Sequence, residues 1–146
     1  VLVLTLAAAA YSLHQKEATE GQRLRSIIEV RVQQISAWLG EPGWLLTTHT
    51  FDGCSQGGSR RWRSTVWRRA GAWLEAIEER ATGYASWTMD GDRRGRFGDA
   101  RLMPKLVNGR LSLVFRRSGQ VDDAEAAALQ AEAGAYDYRG GAVVRP

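Results

Sequence analysis

The first informative pattern in the chain is a hydrophobic stripe between residues 24 and 42. Aliphatic side chains recur there three or four positions apart, at Leu24, Ile28, Val32, Ile35 and Leu39. This is the spacing of one face of an α-helix, and the opposite face is charged or polar. A glycine and a proline at residues 40–42 end such a helix. The pattern therefore predicts a long amphipathic helix that ends near Leu39.

Residues 1–13 precede this stripe, hold no charge and are mostly aliphatic. A membrane span needs about 20 such residues. If the chain is cut at its start, the segment is predicted to be the end of a transmembrane helix. A secretory signal peptide is the main alternative, because residues 7–10 are four alanines. The third is a buried N-terminal helix of a soluble protein. The first two alternatives place the rest of the chain outside the cytoplasm.

Helical periodicity resumes at residues 61–81, where Trp62, Val66, Ala70, Trp73 and Ile77 fall on one broad face. A second helix is predicted there, with Trp62, Trp73 and Ile77 buried. Strand patterns follow at residues 84–89, near Arg96 and Phe97, and from Arg110 to Ser118. The predicted fold class is therefore α+β, a long N-terminal helix and a second helix packed on a small antiparallel sheet.

The segment LRSIIEVRVQQISAWLGE resembles the juxtamembrane helix of bacterial membrane-bound sensor proteins. The matching residues are Leu24, Ile27, Glu29, Arg31, Gln34, Ile35, Trp38, Leu39 and Glu41. A later region matches the same family at Leu74, Ile77, Tyr84, Met89, Asp90, Asp92, Gly109, Leu113 and Phe115. It departs from the family where Arg93 replaces a usual glycine. The resemblance implies an extracytoplasmic PAS-like or Cache-like sensor of the histidine kinase or diguanylate cyclase type.

The resemblance also implies a domain organisation. Residues 1–13 would end a transmembrane helix, residues 14–42 would form the juxtamembrane helix, and residues 43–118 would form the PAS-like or Cache-like sensor domain. The resemblance ends before Gly119, and helix propensity by itself predicts that residues 119–146 form an Ala/Glu-rich helix and tail, with Asp122 or Asp123 as the N-cap. The expected setting is a two-component or similar signal-transduction system at the bacterial inner membrane. The sensor would be a homodimer with its folded domain in the periplasm or outside the cell.

Catalytic and metal-binding motifs add little to this picture. His14 and His49 have no ligand partners at metal-binding spacing, and Cys54 is the single cysteine. Serine, histidine and aspartate are all present, but a catalytic triad cannot be inferred from residues whose arrangement the sequence does not give. The glycines near residue 95 lack the spacing of a phosphate-binding loop. The chain is therefore predicted to be no enzyme and to need no metal or cofactor.

A PAS-like sensor binds its ligand between the sheet and a neighbouring helix or loop. Tyr84, Trp87, Arg96 and Arg116 are the predicted ligand-binding residues, and the two arginines favour a small molecule that bears a carboxylate. The alternative is that the aromatic pair only packs the sheet and that both arginines point to water. The predicted function is to bind a small-molecule stimulus and relay it through the juxtamembrane helix.

Two other functions stay open. The net charge is +4, and the segment SRRWRSTVWRR at residues 59–69 combines arginines that could contact phosphates with tryptophans that could stack on bases. This makes a nucleic-acid-binding module the first alternative. An unrelated secreted structural domain is the second.

Overall fold

Eight β-strands, each paired antiparallel with the next along the chain, form the body of a computed structural model that describes residues 24–54, 57–90 and 93–146. The strands are β1 (Leu24–Gln34), β2 (Gly43–Cys54), β3 (Gly57–Ala70), β4 (Trp73–Asp90), β5 (Arg93–Val107), β6 (Arg110–Gly119), β7 (Gly134–Arg139) and β8 (Ala142–Val144). Two helices interrupt them, α1 (Ser36–Leu39) and α2 (Asp123–Ala131). The prediction of an α+β fold with a long N-terminal helix is therefore wrong.

Strand β1 occupies the place of the predicted juxtamembrane helix. Apolar residues four positions apart fit a helix, but four is also twice the period of a strand. Val30 lies between the stripe positions and completes an alternating pattern, and β-branched residues favour strands. In the structure Val30 and Val32 pack against Leu46 of β2. Ile28 is the extra residue of a bulge between β1 and β2 and is 50% exposed.

The predicted helix at residues 61–81 is a β-hairpin instead. Trp62, Ser64 and Val66 alternate as buried residues along β3, and Gly71 turns the chain into β4 with a φ of 63°. A positive φ costs glycine little, so this residue permits the turn. Trp73, predicted to be buried, follows the turn and is 80% exposed.

Other predicted elements are present. Residues 84–89 lie in β4, Phe97 lies in β5, and RLSLVFRRS lies in β6. Helix α2 forms from the Ala-rich segment, and the carboxylate of Asp122 accepts a hydrogen bond of 3.0 Å from the backbone N–H of Glu125. This is the N-cap interaction expected of an aspartate that precedes a helix.

The main hydrophobic core lies where α1, α2 and β7 meet the sheet. Trp38 of α1 donates a hydrogen bond of 2.7 Å from its indole nitrogen to the backbone oxygen of Tyr136 in β7. Helix α2 contacts β4, β5 and β6. The buried members include Ile35, Leu39, Leu45, Val66, Ala100, Leu102, Leu111, Leu113, Val121, Ala126 and Leu129. The two helices and β7 thus share one hydrophobic core with strands β2, β3, β5 and β6.

The membrane prediction also needs correction. The predicted end of a transmembrane helix, residues 1–13, lies outside the described residues. Within residues 24–54, 57–90 and 93–146, no helix is long and apolar enough to cross a membrane. From Leu24 onward the predicted helical connection to a membrane span is strand β1. The chain in these ranges is a β-meander, and strands take the place of both helices that were predicted to pack on the sheet, from Leu24 in the first case and at residues 61–81 in the second.

Candidate ligand-binding site

One face of the sheet, between β2 and β6, collects aromatic and arginine side chains. The strand register joins His49, Trp62, Gly83 and Arg101 in one row across β2, β3, β4 and β5. Residues two positions away share that face, because side chains alternate along a strand. They form a second row of Phe51, Arg60, Ala85 and Asp99 and a third of Gly53, Gly58, Trp87 and Phe97. The candidate face is defined by His49, Phe51, Arg60, Trp62, Trp87, Phe97, Arg101 and, opposite Arg101 on β6, Arg116.

A hollow of about 270 Å³ lies at the third row of the candidate face. Two aromatic side chains and one cationic side chain contribute to its walls, and the lining residues are Arg60, Ala85, Ser86, Trp87, Phe97 and Gly98. Trp87 stacks on Phe51 with ring centroids 6.4 Å apart. A Cβ at Gly58 would lie 3.0 Å from the indole nitrogen of Trp87, so this glycine lets the indole lie close to β3. The Trp87 wall is therefore supported from two sides.

A buried aromatic stack lies in the first row. The imidazole of His49 stacks on Trp62 at 4.0 Å between ring centroids and an interplanar angle of 16°. The guanidinium carbon of Arg101 lies 4.5 Å from the centre of the same indole, a cation–π distance. A Cβ at Gly83 would lie 2.6 Å from the ring of Trp62. Glycine at position 83 therefore makes room for the indole under its two partners.

Two buried nitrogens of this stack lack hydrogen-bond partners among the described residues, Nε2 of His49 and Nε of Arg101. His49 is 8% exposed, and its Nδ1 lies 4.0 Å from the carboxylate of Glu29, beyond hydrogen-bond range. Burial lowers the pKa of His49, Arg60 and Arg101 lower it further, and Glu29 opposes them. The imidazole is therefore neutral at neutral pH. Burial also lowers the pKa of Arg101, but an arginine stays protonated.

The lowered pKa of His49 predicts a loss of stability in acid. An unfolded histidine takes up a proton near pH 6.5, whereas folded His49 does so only at lower pH. The unfolded state thus binds more protons as the pH falls below about 6.5, and His49 reduces the free energy of unfolding by at most about 1.4 kcal/mol per pH unit in that window. Urea denaturation of the wild type and of His49→Gln at several pH values between 7.5 and 5 measures this dependence.

His14 is present in both proteins, so its contribution cancels in the difference between wild type and variant. The variant is expected to lose less stability than the wild type below pH 6.5. Parallel pH profiles for the two proteins would contradict the assignment of a buried neutral imidazole.

The four ligand-binding residues predicted from the sequence do not all lie on the candidate face. Trp87 lines the hollow, and Arg116 is exposed and pairs with Arg101 in the first row of the same face. Tyr84 lies three positions from Trp87 and therefore on the other face, where its ring is 4.9 Å from the guanidinium carbon of Arg61. Arg96 pairs with Thr88 in the β4–β5 ladder, and its side chain is outside the described part. The ligand-binding role of these residues stays a prediction.

Sequence reasoning missed His49, Arg60, Trp62 and Arg101. A signal was available for two of them, since period-two alternation along β3 places Arg60 and Trp62 on one face and Arg61 and Arg63 on the other. The helical interpretation of residues 61–81 hid this alternation. His49 and Arg101 carry no local signal, because their place beside Trp62 depends on the register of β2 and β5.

No cluster of three or more histidine, cysteine, aspartate or glutamate residues in the described ranges could hold a metal ion. A scan against protein-family models finds no match, and neither curated proteins nor solved structures show a significant match to the chain. The resemblance to bacterial sensor proteins and the location outside the cytoplasm therefore stay predictions. The functional argument rests on the geometry of the candidate face.

Proposed function

We propose that this protein binds a small flat aromatic molecule in the hollow of the candidate face. The observation that carries the proposal is the hollow itself, about 270 Å³ in volume and walled by Trp87 and Phe97. Phe97 is 60% exposed. Small-molecule sites are concave and walled by aromatic residues with a few polar groups. The Arg60 guanidinium supplies a polar group at this rim.

The support of the aromatic walls favours a preformed site. Trp87 is half-buried and braced by Phe51, at 6.4 Å between ring centroids, and its indole loses little freedom when a ligand binds. Binding to rigid aromatic groups costs less conformational entropy than binding to flexible chains. The β4–β5 ladder fixes Trp87 directly opposite Phe97. Two aromatic side chains thus flank the same opening on adjacent strands.

This proposal keeps only part of the function predicted from the sequence. Binding of a small-molecule stimulus is retained as a proposal, whereas the relay depended on a helix at residues 14–42 that β1 replaces from Leu24 onward. The nucleic-acid alternative has little support from the geometry. Trp62 is 7% exposed, and Arg61 and Arg63 pair with Glu125 and Glu79. These groups are not free to contact bases and phosphates together.

Biphenyl-4-carboxamide, a neutral flat aromatic compound, is a suitable probe for the hollow. Its dissociation constant, measured by isothermal titration calorimetry, is expected to rise at least tenfold in Trp87→Ala, about 1.4 kcal/mol of binding free energy. The loss follows from removing one aromatic wall. Trp73→Ala is the matched control, because Trp73 is 80% exposed at the opposite end of β4. The Trp73→Ala variant should bind biphenyl-4-carboxamide with the same affinity as the wild type.

Circular dichroism spectra and melting temperatures of both variants establish that each is folded before the titration. Absence of binding to the wild type would refute the proposal. Equal affinity of the wild type and Trp87→Ala would place the binding elsewhere and would also refute it.

A further inference from the structure

We infer that the ligand of the candidate face carries a carboxylate, and that Arg101 and Arg116 bind it beside His49. This inference rests on the proposed function, since it concerns the charged end of the molecule whose aromatic part occupies the hollow. It assigns the ligand to the class of elongated aromatic acids.

The first observation is the pairing of the arginines. Most arginines whose side chains the structure describes lie within 4.0 Å of a carboxylate, as Arg61 does with Glu125, at 3.5 Å, and Arg117 with Asp123, at 2.6 Å. The exceptions in the described part of the chain are Arg60, Arg69, Arg101 and Arg116. Arg69 instead donates a hydrogen bond to the backbone oxygen of Gly71. The other three all belong to the candidate face.

The second observation is a cross-strand pair of like charges. Arg101 of β5 lies directly opposite Arg116 of β6, and like charges in this position repel each other. Burial and the nearby charge of Arg31 lower the pKa of Arg101 more than Asp99 or Glu29 raises it, and neither carboxylate forms an ion pair with Arg101 within the 4.0 Å limit. An anion bound between the two guanidinium groups would turn this repulsion into attraction to a shared partner.

The third observation is the set of buried nitrogens without partners. Nε of Arg101 and Nε2 of His49 both lie next to the indole of Trp62 and have no hydrogen-bond partner within the described residues. A buried donor without a partner destabilises the structure. A carboxylate has two oxygens that accept hydrogen bonds, and the planar guanidinium matches it in a two-point contact. Stacking on Trp62 already holds the Arg101 guanidinium in place.

The spacing along β5 sets the length of the ligand. Phe97 at the hollow and Arg101 at the stack are four residues apart on one strand, about 13 Å between Cα atoms at about 3.3 Å per residue. Long arginine side chains shorten the gap, and Arg60 lies in the row between the two ends. A molecule of two linked rings with a terminal carboxylate spans this distance.

Biphenyl-4-carboxylate and the neutral biphenyl-4-carboxamide form a matched pair of probes, which differ in charge and hardly in shape. The measured quantity is the ratio of their dissociation constants at pH 7.5 by isothermal titration calorimetry. The wild type is expected to bind the carboxylate at least tenfold more tightly than the amide. The ratio should fall below about threefold in Arg101→Gln and should also decrease in Arg116→Gln. Arg69 also has no carboxylate within 4.0 Å but is not part of the candidate face, so Arg69→Gln should keep the wild-type ratio.

The outcomes separate this inference from the proposed function. If the amide and the carboxylate bind the wild type equally well, the anion site is refuted and the aromatic hollow still stands. If the preference for the carboxylate survives in both Arg101→Gln and Arg116→Gln, the carboxylate is bound elsewhere and the inference is wrong. Failure of both probes to bind would refute both proposals. Arg116 is exposed, so its variant keeps the test valid if Arg101→Gln does not fold.

Discussion

Replacing Trp38 by alanine is expected to lower the free energy of unfolding by about 3–5 kcal/mol, the usual cost of removing a buried tryptophan. Trp38 is 8% exposed in the main hydrophobic core, and its ring lies 6.0 Å from that of Tyr138. Its indole nitrogen also donates the hydrogen bond to the Tyr136 backbone oxygen. The variant leaves both a cavity and a buried carbonyl without its donor, so the attachment of α1 to β7 should fail.

Trp73→Ala is the control for this prediction, because Trp73 is 80% exposed and exposed substitutions usually change stability by less than about 0.5 kcal/mol. Urea denaturation followed by far-ultraviolet circular dichroism measures both variants at pH 7.5. The structure would be contradicted by equal losses in the two variants, or by a larger loss at Trp73. A helix with Trp73 in its core, as first predicted from the sequence, would give that second result.

Gly98→Ala is expected to destabilise the protein by about 2–3 kcal/mol, at the upper end of ordinary overpacking. A Cβ at residue 98 would overlap the backbone of Gln120. Gln120 is held there by a hydrogen bond of 2.9 Å from its backbone N–H to the Phe97 oxygen. Because the obstacle is backbone, no change of side-chain rotamer can relieve the overlap. The connection from β6 to α2 must move away from β5 instead.

Gly57→Ala provides the comparison, since Gly57 is also a strand glycine but the nearest atom to an added Cβ is 3.1 Å away, the backbone oxygen of Trp87. Only a small adjustment is needed there, and alanine reduces the entropy of the unfolded chain. The stability of this variant should stay within about 1 kcal/mol of the wild type in the same denaturation experiment. A Gly98→Ala variant as stable as Gly57→Ala would show that β5 does not pack closely on residue 120.

Two kinds of element could be predicted from local sequence. Helix α2 follows from an alanine-rich segment after a capping aspartate, and the backbone hydrogen bonds of a helix form within its own segment. Strands at residues 84–89 and 110–118 follow from their β-branched and aromatic content. The Asn108–Gly109 pair, with φ values of 51° and 73°, forms the turn between β5 and β6 and is also a local hairpin signal in the sequence.

The helical predictions failed for a definable reason. Leu24, Ile28 and Val32 are four positions apart, and this interval fits both a helix turn and every second position on one strand face. In residues 61–81, the helical prediction leaves Gly71 out of account, whereas this residue lies at the turn of the β3–β4 hairpin with a φ of 63°. Such choices are decided by partners far along the chain. Here Leu46 of β2 packs against Val30 and Val32 of β1. The local sequence of β1 does not contain the information that determines this contact.

In the candidate face, too, some features could be predicted from local sequence and others depended on contacts between distant strands. The residue types and the resemblance to PAS-like sensors predict Trp87 and Arg116 as ligand-binding residues. The same prediction groups Tyr84 with Trp87, although strand alternation places residues three positions apart on opposite faces. Strand register brings His49, Trp62 and Arg101 together, although His49 and Arg101 are 52 positions apart in the sequence. Register depends on the turns, on the bulge at Thr82 and on packing against α2, all of which are satisfied only when the whole sheet forms.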